Sequence, residues 1–155
     1  MMNEQAILDV LDRIRSRFYG KYRGVVTEVE EGGRGRIKAK VPAVLGDQKS
    51  GWCDPCVPYA GKDVGFAFLP EPGSGVWIEF EGGDVSYPIW SGCYWRDGEL
   101  PADAGATKKV IRTQSGSQLL LDDEAGSIAI TNKAGMTIVI TSNKVSINGD
   151  GLEVT

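Results

Sequence analysis

Two cysteines lie at a spacing that is found in metal-binding and redox-active pairs. Cys53 and Cys56 form a Cys-x-x-Cys pair, which can be half of a zinc site or a redox couple. A zinc site needs four ligands, but the chain has no histidine and its remaining cysteine is Cys93. Pro55 and Pro58 favour an extended segment over the helix that a redox pair usually opens. We therefore expect no metal, no cofactor, and thiols that are simply buried or half-buried.

Two pairs of carboxylates could in principle act on glycosides, a reaction that uses two acids. They are Asp122 with Asp123 and Glu79 with Glu81. No histidine is present for a nucleophilic triad, and the glycines of segment 32–35 fit neither a phosphate loop nor a dinucleotide fingerprint. The acids are better explained as polar groups at turns and on outer strand faces. We expect no catalytic residues and no enzymatic activity.

A third set of residues is aromatic and could stack on bases or sugars. It comprises Trp77, Trp90, Tyr94 and Trp95. Trp77 alternates with Ile78 in a strand pattern, which favours packing in a core or an oligomer. The net charge of −4 and the pI near 4.9 disfavour nucleic acid, because affinity for phosphate comes mainly from clustered Lys and Arg.

Residues 1–20 predict one amphipathic helix, running from about residue 3 to residue 17. Asn3 can cap its start and Gly20 can end it. Apolar residues recur at steps of four, three and four, at Ile7, Leu11, Ile14 and Phe18. Such a stripe needs a covering surface. The sequence leaves open whether this is the chain's own barrel, a partner hub, or two other copies of the helix around a threefold axis.

Residues 21–95 predict a small all-β domain. Segments 22–29 and 36–41 alternate in hydrophobicity around a Gly-rich turn, which is a hairpin signature. Further strands are expected at 52–57, 65–69, 76–80 and 89–95. Short strands without crossover helices indicate an OB-type barrel, and a sandwich stays possible. Because OB barrels often hold ligands on an aromatic face, the alternative function is an oligosaccharide- or nucleic-acid-binding module.

After a patternless linker at 96–109, residues 110–155 predict a series of short strands with one apolar face. Each apolar residue has a partner two positions away, which places both on the same side of a strand. The pairs are Leu119/Leu121, Ile128/Ile130, Ile138/Ile140, Val145/Ile147 and Leu152/Val154. A segment of roughly 45 residues is too small to support its own core. Three copies wound into a prism would bury the first four pairs as a trimer core; the alternative is a monomer whose strands fold back on the upstream domain.

Several segments resemble the OB domain of contractile-tail spike proteins, a family that includes phage baseplate assembly protein V and the VgrG proteins of type VI secretion. The segments are KYRGVV at 21–26, GRIKAKVP at 35–42, GWCDPCVPYAG at 51–61, LPEPGSGVWIEF at 69–80 and EGGDVSYPIWSG at 81–92. The segment 109–127 is similar to the start of the same family's triple-stranded β-helix. The predicted fold is therefore all-β, with an N-terminal helix, an OB barrel, and an intertwined β-helix or prism formed in a homotrimer.

The resemblance implies a mechanical role. In this family a homotrimeric spike sits under a baseplate hub, and sheath contraction drives it through a target membrane that it contacts only mechanically. The linker is too short for the muramidase domain that some relatives carry, and no histidine is present to bind a tip ion. The start of the chain lacks the order of a secretion signal. We expect a protein made in the cytoplasm that becomes part of a virion tail or an injection-system baseplate, with no nucleic acid bound.

The last residues suggest one more partner. Leu152, Val154 and Thr155 continue the strand pattern to the end of the sequence. A prism cut across its strands exposes backbone groups and an apolar cross-section. We expect a PAAR-like tip protein on this end, with a frayed, solvated end as the alternative. The sequence does not distinguish a phage tail, a tailocin and a cell-encoded injection system.

Overall fold

In a computed structural model of the protein, residues 3–149 and 151–154 are described. The fold is mostly β with few helices, and it contains an OB-like curled sheet. The chain divides into two compact units, the first ending at Arg96 and the second beginning at Asp97. Within the described residues, no helix has the length and apolar character needed to cross a bilayer.

The first unit begins with helix α1, Glu4–Arg15. The Asn3 side chain caps it by accepting a hydrogen bond from the Ala6 N–H at 2.8 Å, as the sequence predicts. The helix ends earlier than expected, at Arg15, and Gly20 lies in the turn beyond it with φ of 88°. The expected glycine cap is therefore wrong, because the chain leaves the helix to bind the barrel.

The segment after α1 contacts the barrel through a hydrogen bond, an ion pair and packing of an aromatic ring. The Phe18 N–H donates to the Gly83 carbonyl at 2.8 Å, and the Arg17 guanidinium pairs with Asp84 at 2.9 Å. The Phe18 ring packs against Tyr22 and Phe80 at centroid distances of 6.3 and 6.4 Å. Phe18 therefore belongs to the edge of the barrel core.

The barrel is a five-stranded sheet in the order β2-β1-β6-β7-β3. Its strands are β1 Tyr22–Val29, β2 Ile37–Lys40, β3 Asp54–Pro55, β6 Gly75–Phe80 and β7 Pro88–Tyr94. The sheet closes on itself where Ile37 and Cys53 exchange backbone hydrogen bonds of 3.3 and 2.7 Å. The closure links β2, at one edge of the sheet, to the segment that leads into β3, at the other edge. It gives the sheet its OB-like curl.

Two of the predicted strands are much shorter than expected. Segment 52–57 contributes only β3, which pairs in parallel with β7. Segment 65–69 contributes only Gly65, which ends a small hairpin of β4 Ala60–Gly61 and β5 Val64–Gly65. The alternation of Phe66 and Phe68 does not make a strand, because no neighbouring strand pairs with it. Helix α2, Pro42–Leu45, and a 3₁₀ turn at Glu81–Gly83 complete the unit.

The barrel core is compact and fully covered. Its buried residues are Val26, Ile37, Ala39, Val41, Cys53, Val76, Ile78, Phe80 and Trp90. At its rim, Gly75 faces Tyr94 across the β6–β7 pair. A Cβ added at Gly75 would lie 2.8 Å from the Tyr94 ring and 2.9 Å from its carbonyl oxygen. No side chain fits there without a shift of the strand pair.

Gly75→Ala is expected to lower the free energy of unfolding by about 1–3 kcal/mol, the usual cost of overpacking. A decrease in the free energy of unfolding would be informative, because Gly→Ala at a compatible position normally raises it by about 0.4–1 kcal/mol. The usual gain arises because alanine reduces the conformational entropy of the unfolded chain. Gly51→Ala is the matched control, since an added Cβ there has nothing within 4 Å. Urea unfolding followed by tryptophan fluorescence measures both, and equal stabilities would contradict the close approach.

The second unit is one six-stranded antiparallel sheet in which the strands follow each other in chain order. Its strands are β8 Lys108–Arg112, β9 Gln118–Asp122, β10 Ser127–Thr131, β11 Thr137–Ile140, β12 Val145–Ile147 and β13 Leu152–Val154. The turns are held by short polar side chains; the Asn132 Oδ1, for example, accepts from the Ala134 and Met136 N–H groups at 2.9 Å. Among the described residues of this unit, no helix or second sheet covers either face.

Candidate functional site on the C-terminal sheet

The strand register aligns the predicted apolar pairs into two continuous rows across the second unit. The first row is Ile111, Leu119, Ile130, Ile138, Ile147 and Leu152, each the cross-strand partner of the next. The second row is Leu121, Ile128, Ile140 and Val145, and the register continues it to Val154. Side chains two residues apart share a face, so both rows lie on the same side of the sheet. This side is called the apolar ladder below.

The apolar ladder is open to solvent in the single chain. Ile130 at its centre is 49% exposed, and Ile128 beside it is 40% exposed. Ile138, Ile140, Leu121 and Ile147 are also exposed, while Leu119 and Val145 are half-buried. A contiguous apolar surface of this extent is unusual on a soluble monomer and marks an interaction surface. The structure therefore brings all eight predicted trimer-core residues onto one face, and it leaves that face uncovered.

The opposite face of the sheet is smaller and more polar. Its central row is Val110, Leu120, Ala129, Val139 and Ser146. Outside this row, Lys108 pairs with Asp122 at 3.3 Å. The pKa of the Asp122 carboxyl is lowered mainly by the hydrogen bond that it accepts from the Ala125 N–H at 3.0 Å. The hydrogen bond from Lys108 and its positive charge lower this pKa further. Asp122 thus closes a turn and an ion pair. The central row of this face is half-buried, and Ser146 is buried, so this face is less exposed than the apolar ladder.

Sequence reasoning missed one member of the ladder. Ile111 lies in β8 opposite Leu119, and it is 48% exposed. Its neighbours at two positions on either side are Lys109 and Thr113, so the i, i+2 apolar pattern does not mark it. Only the register reveals that Ile111 extends the first row to the edge of the sheet.

The predicted tip residues lie in the other edge strand. Leu152 is 55% exposed in β13, and Val154 pairs with Val145 in the register. Thr155 falls outside the described residues. β13 pairs with β12 on one side only, so its other backbone edge has no strand beside it among the described residues. An edge of this kind can accept a further strand or a capping surface.

The first unit carries a cleft of about 610 Å³ between the β1–β2 loop and the β4–β5 hairpin. Tyr59, Phe66 and Phe68 form one wall, with Tyr59 and Phe66 edge-to-face at 6.2 Å and Phe66 and Phe68 stacked at 6.4 Å. All of these rings are more than half exposed. Neither predicted acid pair lines the cleft. Its chemistry is that of an apolar binding surface.

Glu30 holds the other wall of this cleft in place. Its carboxylate accepts hydrogen bonds from the Arg34 N–H at 3.0 Å and from the Arg36 Nε at 3.0 Å, and it pairs with the Arg36 guanidinium. The side-chain hydrogen bond from Arg36 lowers the pKa of Glu30 to about 2. A Cβ at Gly33 would overlap this carboxylate, so the loop closes around it.

The depressed pKa of Glu30 predicts acid sensitivity of the first unit. Because the folded pKa lies below the ordinary value of 4.5, the stabilisation is present above pH 4.5 and is lost as the pH falls towards 2. Glu30→Gln should therefore show a smaller loss of stability over this pH interval than the parent chain. Thermal unfolding at a series of pH values measures it, with Glu31→Gln at an exposed neighbour as control. Parallel pH profiles for all three chains would contradict the role of Glu30.

The cysteines do not come together as a reactive site. Cys53 is buried, and burial raises the pKa of its thiol, which keeps it protonated and unreactive. Cys56 and Cys93 are exposed, whereas the sequence predicts buried or half-buried thiols. In the part of the chain that the structure describes, no group of three His, Cys, Asp or Glu side chains could hold a metal ion.

The aromatic residues singled out in the sequence are dispersed. Trp90 is buried, and its Nε1–H donates to the Gly35 carbonyl at 3.1 Å. Trp77 and Tyr94 lie 5.1 Å apart beneath the Arg23 guanidinium. Trp95 is 66% exposed and stands outside this stack. These residues form core and surface packing, with only Trp90 reaching the cleft.

The predicted contact face of α1 is also uncovered. Ile7, Leu11 and Ile14 are exposed, at 45%, 40% and 63%. Phe18, the fourth member of the stripe, is half-buried against the barrel core. The structure therefore separates Phe18 from the other three.

A comparison with known families matches the barrel. Residues 22–95 match the family model of the Type VI secretion system/phage-baseplate injector OB domain. The matched span contains the whole five-stranded sheet and excludes α1 and the apolar ladder. No curated protein matches the chain. The match supports a protein related to baseplate spikes, with a structural role in a virion or an injection system.

Proposed function

We propose that this chain is the central spike of a contractile tail or injection system, joining a baseplate hub to a tip protein. The observation that carries the proposal is the apolar ladder on a single-layered sheet, next in sequence to an injector-type OB domain. The role is mechanical: the assembled spike transmits the force of contraction to the target membrane. The VgrG-like part of the proposal rests on the resemblance of the sequence segments quoted above.

The ladder favours assembly as a homotrimer. A sheet with one apolar face must bury it against another layer, and sheets pack face to face about 10 Å apart. Three copies around an axis can each turn the ladder inward, so that every row meets the same row from two neighbours. The polar face with the Lys108–Asp122 pair then faces water. The product is a closed three-sided prism without helices, which suits a rigid shaft.

Ile130→Asp should break the trimer, because it would bury an unpaired carboxylate of each copy near the axis. We expect association weakened by about tenfold or more, since several kcal/mol per buried charge exceeds the 1.4 kcal/mol that corresponds to tenfold. Thr131→Asp is the matched control: it adds the same group at the next position, on the polar face. Sedimentation equilibrium gives the masses, and a stable single-chain mass for the unmodified protein would overturn the proposal.

The tip protein would bind at β13. Leu152 is exposed there, and the outer edge of β13 lacks a neighbouring strand within the described residues. In a trimer, three such edges would lie around one axis and offer a threefold set of backbone donors and acceptors. A PAAR-like protein is the proposed occupant.

Removing residues 152–155 is expected to abolish binding of a purified PAAR-repeat protein while the trimer mass is kept, because β8 to β12 retain most of both rows. Co-sedimentation of the two proteins measures binding. Ile130→Asp provides the comparison, since it should lose the trimer and the tip together. Tip binding that survives the truncation would reject this interface.

Two other functions receive less support. For catalysis, the predicted acid pairs give no support: Asp122 is committed to a turn, and the pKa of Glu79 is lowered by the Ser91 hydroxyl and by Lys21 rather than raised towards that of an acid catalyst. A binding module is favoured by one observation, the cleft with its exposed rings. That surface is small beside the apolar ladder, and the acidic balance of the chain disfavours a nucleic acid ligand.

A further inference from the structure

Helix α1 has an apolar face that its own chain does not cover. All five of its large apolar side chains are between 40% and 63% exposed. They are Ile7, Leu8, Val10, Leu11 and Ile14. A helix of 12 residues is only marginally stable alone in water, so a covering partner is needed.

The spacing of these residues defines a coiled-coil register. With Ile7 and Ile14 at d positions, Leu11 falls at the a position between them. Leu at a with Ile at d favours three or four helices over two. Leu8 and Val10 then occupy the flanking e and g positions, which widens the apolar face beyond the narrow seam of a dimer.

The charges of the helix are compatible with parallel copies. Across neighbouring parallel helices, a g residue meets the e residue five positions later, so Val10 faces Arg15 of the next copy. No pair of like charges meets between these g and e positions, but Glu4 falls at the a position seven residues before Leu11, so the Glu4 carboxylates of the three copies meet at the start of the seam. The polar residues Asp9, Asp12 and Arg13 fall at outer positions. Glu4 lies in the first turn, where the helix dipole favours a carboxylate, and its charge limits the apolar core to the layers of Ile7, Leu11 and Ile14.

The attachment of α1 leaves this face free. Within the described residues, the hydrogen bond from Phe18 to Gly83 and the ion pair of Arg17 with Asp84 join the segment after the helix, rather than the apolar face of α1, to the barrel. We propose that α1 packs with α1 of two other copies as a parallel three-helix bundle, with Ile7, Leu11 and Ile14 as its core. The bundle rests on the proposed trimer, because three apolar layers are too few to assemble separate chains and need the high local concentration that the shaft provides.

Disulfide trapping in the full chain tests the bundle. In a background of Cys56→Ser and Cys93→Ser, which removes the exposed thiols, Ile14→Cys places a thiol at a d position and Asp12→Cys places one two residues away on the outside. A symmetric parallel bundle brings identical d residues together, so oxidation should join two of the three chains of Ile14→Cys and leave Asp12→Cys uncoupled. The purified chain is used, without a hub.

The outcomes separate this inference from the proposed function. A trimeric mass with cross-linking of Ile14→Cys alone supports the bundle. A trimeric mass with no cross-linking, or equal cross-linking at both positions, overturns the bundle and leaves the spike standing; a hub is then the occupant of this face. A single-chain mass overturns both the bundle and the spike.

Circular dichroism provides a second test of the bundle. Leu11→Ser should reduce helical ellipticity at 222 nm, whereas Asp12→Ser, with the same new side chain on the outer face, should change it little.

Discussion

The C-terminal unit is a single β-sheet with one exposed apolar face. The need to bury this face is the constraint on which the proposed assembly of the protein depends. Two rows of Leu, Ile and Val cross the described strands, and the residues at their centre, such as Ile130, remain about half exposed. Burial of apolar surface is the main favourable term in folding, and a sheet needs a second layer to obtain it. In the proposed trimer the neighbouring copies supply this second layer, so the stability of the unit and its proposed function would depend on the same contact.

The OB-like unit solves the same problem within one chain. Its sheet curls until Ile37 bonds to Cys53, so the inner face covers itself and side chains such as Ile78 lose all contact with water. Polar groups secure the surface, as Glu30 does for the β1–β2 loop. The family match to an injector OB domain covers this unit.

The two units suggest a division of labour in a spike-related protein. The barrel has its own covered core, and the sheet is a modular element whose length depends on the number of strands. Because each strand from β9 to β12 adds two apolar residues to the ladder, the unit resembles a repeat array in which each element contacts mainly its neighbours. Self-association at both the sheet and α1 would tie the copies together at two places in the chain.

The sequence alone determined the features that depend on neighbours in the chain. The Asn3 cap, the strands of the hairpin at β1 and β2, and the paired apolar residues from Leu119 to Ile147 follow from local spacing, because the periods of helix and strand are fixed by backbone geometry. The tertiary structure alone decided what depends on the partners that each residue meets across a turn or in another strand. The register made Ile111 part of the ladder, the absence of a pairing strand left Phe66 and Phe68 outside the sheet, and the approach of Arg36 to Glu30 set the pKa of that carboxyl. Cross-strand partners depend on the geometry of each turn and on the packing of the sheet, which the i, i+2 spacing of apolar residues does not specify.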